Sequence, residues 1–293
     1  MYGAIIGDIV GSRFEFNNIK TKDFEFFHPK CYYTDDTVMT LAVAQAIMRY
    51  RSANTQFKKE LVLSMKELGH AYPGAGYGSR FKRWLCSNHA KPYKSYGNGA
   101  AMRVSPCGWA AATKAEAIDL GYDSAAVTHN HPEGLDGAAI TSQLIWLARN
   151  GGTKDDIRAI GDKVYGLNFT LEQIRPSYKF EESCQGTVPQ AIVAFLEADS
   201  FEDTIRNAIS IGGDSDTLAA IAGSIAEPFF GVPSDLIDKA RTYLDDRLLG
   251  ILDAFDEAIE YDNNANDICI GCPCANTSLC TNIYAEGRNC DKI

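Results

Sequence analysis

The run Gly212-Gly213-Asp214-Ser215-Asp216-Thr217-Leu218-Ala219-Ala220-Ile221-Ala222-Gly223-Ser224-Ile225-Ala226 decides how this chain is read. Two glycines stop the preceding element, and the Asp/Ser/Thr cluster offers oxygens to the free N–H groups of a helix start. From Leu218 to Ala226 the run is apolar all round, which places that helix in a core. An earlier cluster, Thr34-Asp35-Asp36-Thr37, opens a second helical pattern in which Met39, Ala42, Val43, Ala46, Ile47 and Tyr50 form one buried stripe. One carboxylate is enough to cap a helix, whereas each of these starts carries two, with hydroxyls interleaved. If the two starts meet in space, their acids and hydroxyls form an all-oxygen site suited to Mg²⁺ or Mn²⁺.

Working outward, residues 3–13 carry Gly3, Gly7 and Gly11 four apart, so one helix face has no side chains and predicts a close backbone contact. Glu15 follows between Phe14 and Phe16, a position that by itself reads as an acid on an exposed loop. Helices are also predicted over 55–70, about 135–149, and 154–165, the last closed by Gly166. Others run from Thr187-Val188-Pro189 to about 198, from Phe201 to Gly212, and over roughly 235–260 behind Pro233-Ser234. Pro73 to Gly78 reads as a loop. No segment alternates with period two between hairpin turns. The expected fold is therefore all-α, one compact helical domain over 1–262 followed by a Cys-rich tail over 263–293.

Two polar stretches lie between these helices. Asn98, flanked by Gly97 and Gly99, is either a plain turn or a set of free N–H groups that cradles an anion, with Arg103 able to add charge or pair with a carboxylate. In Thr128-His129-Asn130-His131, two histidines are too few for a metal site, and one imidazole near a helix start could instead hydrogen-bond a ligand.

Composition narrows the function. The net charge of −10 and the lack of a long Lys/Arg run argue against nucleic acid as a partner. No stretch reaches the roughly 18 consecutive apolar residues of a membrane span, and the first residues lack a basic flank, so a cytoplasmic protein is expected. Four scattered cysteines, Cys31, Cys86, Cys107 and Cys184, read as small buried hydrophobes or as free thiols in a reducing compartment. The tail spacing of Cys269, Cys272, Cys274 and Cys280 could hold a structural Zn²⁺, or could be irregular chain with free thiols.

Taken in order, Gly3-Ala4-Ile5-Ile6-Gly7-Asp8 to Glu15, Thr34-Asp35-Asp36-Thr37, Gly97-Asn98-Gly99 to Met102-Arg103, Thr128-His129, Thr187-Val188-Pro189 and Gly212 to Thr217 resemble the motifs of the ADP-ribosylglycohydrolase family. That family includes the bacterial dinitrogenase reductase-activating glycohydrolases and the animal ADP-ribosylhydrolases. The resemblance implies an all-helical domain with two Mg²⁺ or Mn²⁺ ions held by Thr34, Asp35, Asp36, Asp214, Asp216 and Thr217. It implies a pocket for ADP-ribose lined by Glu15, Asn98, Gly99, Met102 and His129, with Glu15 beside or on the second metal, on a mobile loop that departs from the usual pattern of a proline and paired acids. The implied reaction hydrolyses ADP-ribosylated protein at the distal ribose, ADP-ribosylarginine first, with Glu15 or Asp36 as base. The alternatives are another ADP-ribose derivative, such as an O-acyl ester, ADP-ribosylserine or a modified nucleic-acid end, and a binding module without turnover.

Overall fold

A computed structural model describes residues 1–269, with side chains as far as residue 260. Its elements are α1 (Tyr2–Gly11), α2 (Asp35–Ala53), α3 (Phe57–Ala71), α4 (Ser79–Leu85), α5 (Ser105–Ala110), α6 (Lys114–Ala126) and α7 (Pro132–Arg149). They continue with α8 (Lys154–Tyr165), α9 (Leu171–Ile174), α10 (Cys184–Leu196), α11 (Phe201–Ser210), α12 (Ser215–Phe230), α13 (Ser234–Arg241) and α14 (Asp246–Cys269). Among the described residues there is no strand, only an isolated antiparallel bridge between Gly97 and Ser183. The chain divides into a compact unit, Met1–Leu252, and a second beginning at Asp253, of which the continuation of α14 to Cys269 is described. The proposed thiolate set of Cys269, Cys272, Cys274 and Cys280 lies outside the residues whose side chains are described.

Helix α12 is the centre of the first unit, buried continuously from Ser215 to Ala226. Its closest partner is α1, and the glycine face explains the approach. A Cβ at Gly3 would stand 2.1 Å from the Gly223 carbonyl oxygen, one at Gly7 2.2 Å from that of Ala219, and one at Gly11 2.5 Å from Cα of Asp216. The two helices therefore run antiparallel with backbones in contact, and the start of α12 with Asp216 lies at the Gly11 end of that seam. Gly7→Val is expected to cost about 3 kcal/mol, because two rigid backbones must separate; denaturant unfolding at unchanged slope measures it.

Several helix limits differ from the periodic reading. Helix α10 starts at Cys184 rather than Thr187, because Ser183 accepts the N–H of Gly186 at 3.1 Å, and this leaves Pro189 inside the helix. Helix α7 starts at Pro132, capped by His131, whose Nδ1 accepts the N–H of Glu133 at 3.3 Å. The span behind Pro233 is two helices. Asp245 ends the continuity by accepting the N–H groups of Arg247 and Leu248, each at 3.0 Å, so that α14 has its own cap. Helix α6, with Thr113 as its cap, has no counterpart in the periodic reading.

Candidate functional site

The acidic helix starts are brought together by a residue that belongs to neither. Asp8, on α1, which is buried from Gly3 to Gly11, accepts four hydrogen bonds from the start of α2. These come from the Thr34 N–H at 2.9 Å, the Thr34 hydroxyl at 2.7 Å, the Thr37 N–H at 3.0 Å and the Thr37 hydroxyl. A buried carboxylate persists only with such donors. Thr34 in turn accepts the Asp36 N–H at 3.3 Å, which aims Asp36 along α2. Since α1 also lies against α12, both Asp clusters are referred to one helix, and the Thr217 hydroxyl donates to Asp36 Oδ2 at 3.3 Å across 181 residues of sequence.

Glu15 reaches the same place through a second device. The chain leaves α1 in a short 3₁₀ turn, Ser12–Phe14, and Asn18 then ties the loop to the glycine turn. Its amide donates to the carbonyls of Phe14 at 2.7 Å, Glu15 at 3.0 Å and Gly213 at 2.8 Å, and its oxygen accepts the Gly213 N–H at 2.8 Å. Gly213 needs its lack of a side chain here, with φ of +81° and a Tyr178 ring carbon 2.3 Å from where a Cβ would be. Glu15, Asp214 and Asp216 each present an oxygen within 4.8 Å of the others.

These groups line a cavity of about 320 Å³, together with Asp35, Asp36, Glu182 and Thr217 and with parts of the 76–81 and 93–103 segments. Burial, reinforced by Asp216 and then Asp8, pushes Glu15 up to about 8. The same causes in the same order push Asp35 to about 8. Burial raises Asp214 to about 6, with hydrogen bonds from Asp216 and Asn98 holding it down. Asp36 and Asp216 stand well above the usual carboxylate range, first from burial and then from the neighbouring acid, Asp216 for one and Asp214 for the other.

Neutral donors complete the lining. Asn98 does not present a free amide, since its NH₂ donates to Asp214 Oδ2 at 2.7 Å and to Thr187 Oγ1 at 3.1 Å. His129 is positioned through two buried residues. Arg103 donates to the Ser124 carbonyl at 2.7 Å and the Thr128 hydroxyl at 2.8 Å, and we assign that hydroxyl's own proton to the nearer of its two acceptors, His129 Nδ1 at 2.7 Å rather than the Ala125 carbonyl at 3.4 Å. Nε2 then carries the other proton and faces the glycine turn, where a Cβ on Gly99 would be 3.4 Å from it. Burial first, and then the Arg103 charge, lower the His129 pKa well below its ordinary value, so the ring is a neutral donor. Its ¹⁵N resonances are therefore expected to stay in the Nε2–H pattern between about pH 6 and 8, where an ordinary imidazole titrates.

All of the sequence-derived site residues fall in or beside this cleft, with distinct roles. Glu15, Asp35, Asp36, Asn98, Gly99, Met102, His129, Asp214, Asp216 and Thr217 line it, whereas Thr34 serves as helix cap and partner of Asp8. Arg103 has no carboxylate partner among the described residues; it holds Thr128 instead. His131 is a helix cap. The sequence reading missed Asp8 and Asn18. Asp8 had a signal, as the one charge in an otherwise apolar, glycine-faced helix.

The donor set fits divalent cations. Asp36 Oδ1 is buried with no hydrogen-bond partner, and among the described residues no Lys or Arg forms an ion pair with any acid of the cluster. Clustered carboxylates without counter-charge hold together through shared protons or through hard cations, and the oxygens of Glu15, Asp214 and Asp216 are spaced for the latter.

Comparison with known proteins identifies the family. The family profile described as ADP-ribosylglycohydrolase matches residues 1–264. ADP-ribosylhydrolase ARH3 of Homo sapiens is 24% identical over an alignment covering 78% of this chain and 84% of that protein. ADP-ribosylarginine hydrolase Tri1 of Pseudomonas putida is 24% identical, covering 82% and 72%. A solved structure titled ADP-ribosylglycohydrolase-related protein complex superposes with a TM-score of 0.62 at 21% identity, covering 86% of this chain and 94% of that one, which shows the shared fold.

Proposed function

The chain belongs to the ADP-ribosylglycohydrolase family, and from that premise we propose a divalent-cation-dependent hydrolase that removes ADP-ribose from modified protein side chains, with ADP-ribosylarginine as first substrate. The observation that carries this reading is the convergence of Glu15, Asp214 and Asp216 beside Asp36 in a cleft that also holds a neutral imidazole donor. Asp35, Asp36, Asp214, Asp216 and Thr217, with Thr34 behind them, would hold two Mg²⁺ or Mn²⁺ ions. When bound, these supply Lewis-acid charge for the ribose hydroxyls.

The chain's own groups would then act as follows. His129 Nε2–H donates to a ligand oxygen, and Gly99 leaves room for the ligand beside it. Glu15 or Asp36 takes a proton from the water as its oxygen bonds the anomeric carbon and the carbon–nitrogen bond breaks, the bond pair going to the guanidine nitrogen, which then receives that proton and departs as guanidinium. Glu182, exposed and lining the cleft close enough to Glu15 to raise its pKa, suits a cationic guanidinium leaving group. Asp8 stays outside the chemistry and keeps the helix starts in register.

The test is release of ADP-ribose from a panel of arginine-, serine- and O-acyl-linked substrates, with and without EDTA. Release from the arginine linkage that stops with EDTA is expected. Turnover confined to another linkage would reassign the substrate, and tight ADP-ribose binding with no release from any of them would make the protein a reader.

A further inference from the structure

A second cavity, of about 240 Å³, shares Arg80 and Tyr93 with the first and is otherwise walled by Arg83, Trp84, Ser87, His89 and Lys91. The chain carries 38 acids in 293 residues, yet none between Glu67 and Glu116. The two acids that bound this window are already engaged, Glu67 by Arg49 and Arg247 and Glu116 by Arg51. Among the described residues, Arg80, Arg83 and Lys91 form no ion pair. Arg80 donates to the Tyr93 carbonyl and lies over its ring at 4.9 Å, which holds it where the two cavities meet. Trp84 is 3% exposed, and its indole N–H has no acceptor among the described residues.

Every polar side chain on this wall can donate a hydrogen bond, and none is a carboxylate. In a chain of net charge −10, cations left without counter-charge around a concavity select an anion. The guanidinium forks of Arg80 and Arg83, with the Lys91 ammonium, favour the oxygens of a phosphate.

We propose that this cavity is a phosphate subsite that takes a phosphate or pyrophosphate group, free or carried on a nucleotide, next to the substrate cleft. The subsite stands on its own donors; only its link to the cleft through Arg80 rests on the function proposed above.

The test titrates inorganic pyrophosphate into the full chain and follows the Trp84 indole ¹H–¹⁵N resonance, assigned with Trp84→Phe. A saturable shift is expected, with affinity about tenfold or more weaker in Arg83→Glu/Lys91→Glu, since charge-assisted hydrogen bonds to phosphate account for at least that factor. Lys59→Glu/Lys163→Glu, at exposed positions of α3 and α8, makes the same change in net charge and is expected to leave the titration unchanged. All four positions are exposed, so the fold is retained, which circular dichroism verifies. A resonance that does not move, or that moves alike in both double variants, overturns the proposal. Repeating the titration with ADP separates the sources: tighter binding with the same loss in Arg83→Glu/Lys91→Glu assigns a nucleotide-borne phosphate, and equal or weaker binding assigns the free ion. ADP-ribose binding to the unsubstituted protein, measured separately, reports on the cleft, so failure of the proposed function would leave the subsite result readable.

Discussion

Asp216→Asn is expected to lower ADP-ribose release at least about a thousandfold while raising the melting temperature measured in EDTA. The two effects have one cause. Asp216 is 3% exposed and surrounded by Asp8, Asp36, Asp214 and Glu15, so without cations its charge is opposed by every neighbour. Asparagine keeps the volume and can still accept the Thr217 N–H, which the aspartate accepts at 2.9 Å, while removing the charge. The same loss of charge removes a cation ligand, so Mn²⁺ should stabilise the variant less than the unsubstituted protein. Asp8→Asn is the contrast: with the amide oxygen in the place of Oδ2, which accepts both N–H groups, an NH₂ replaces Oδ1, which accepts the Thr34 hydroxyl at 2.7 Å, and stability is expected to fall by about 3 kcal/mol with or without cations. Thermal and denaturant unfolding, paired with release assays, separate the two acids. Unchanged turnover in Asp216→Asn would remove that residue from the site.

The second large effect is on stability against pH. In EDTA, the melting temperature should fall by roughly 5 °C or more between about pH 5 and pH 9. Glu15 and Asp35 titrate at about 8 and Asp214 at about 6 in the folded protein, all above the values of an unfolded chain. The folded state therefore holds more protons than the unfolded state across this range. Stability is greatest below the unfolded carboxylate range and is lost as pH rises through about 6 and then about 8. Glu15 contributes less than the buried acids because water screens its half-exposed carboxylate. Saturating Mg²⁺ or Mn²⁺ should flatten the slope, as cations replace protons between the carboxylates. A curve in EDTA that rises with pH would mean the acids are compensated in some other way.

Much of this was legible from the chain alone. The apolar run after Thr217, the stripe opened at Asp36 and the glycines at 3, 7 and 11 mark helices because their cause is local: periodicity, caps and missing side chains. The in-order motifs pointed to the family and to the acids that line the cleft. Less legible were boundaries fixed by one side chain, such as Ser183 opening α10 and Asp245 dividing α13 from α14, since several Ser and Asp residues nearby could have served.

What the sequence determined by itself is a helical chain with an excess of oxygen ligands at two helix starts. Tertiary structure alone decided that the starts meet, because their meeting depends on α1 lying backbone to backbone on α12 and on Asp8 and Asn18 bonding to residues far along the chain. It also decided which polar groups remain available to a ligand. Asn98 and Arg103 are indistinguishable from free donors in sequence, yet both are engaged, while His129 keeps a proton facing the cleft. A hydrogen bond between distant residues leaves no periodic trace, so such roles follow only from the packed geometry.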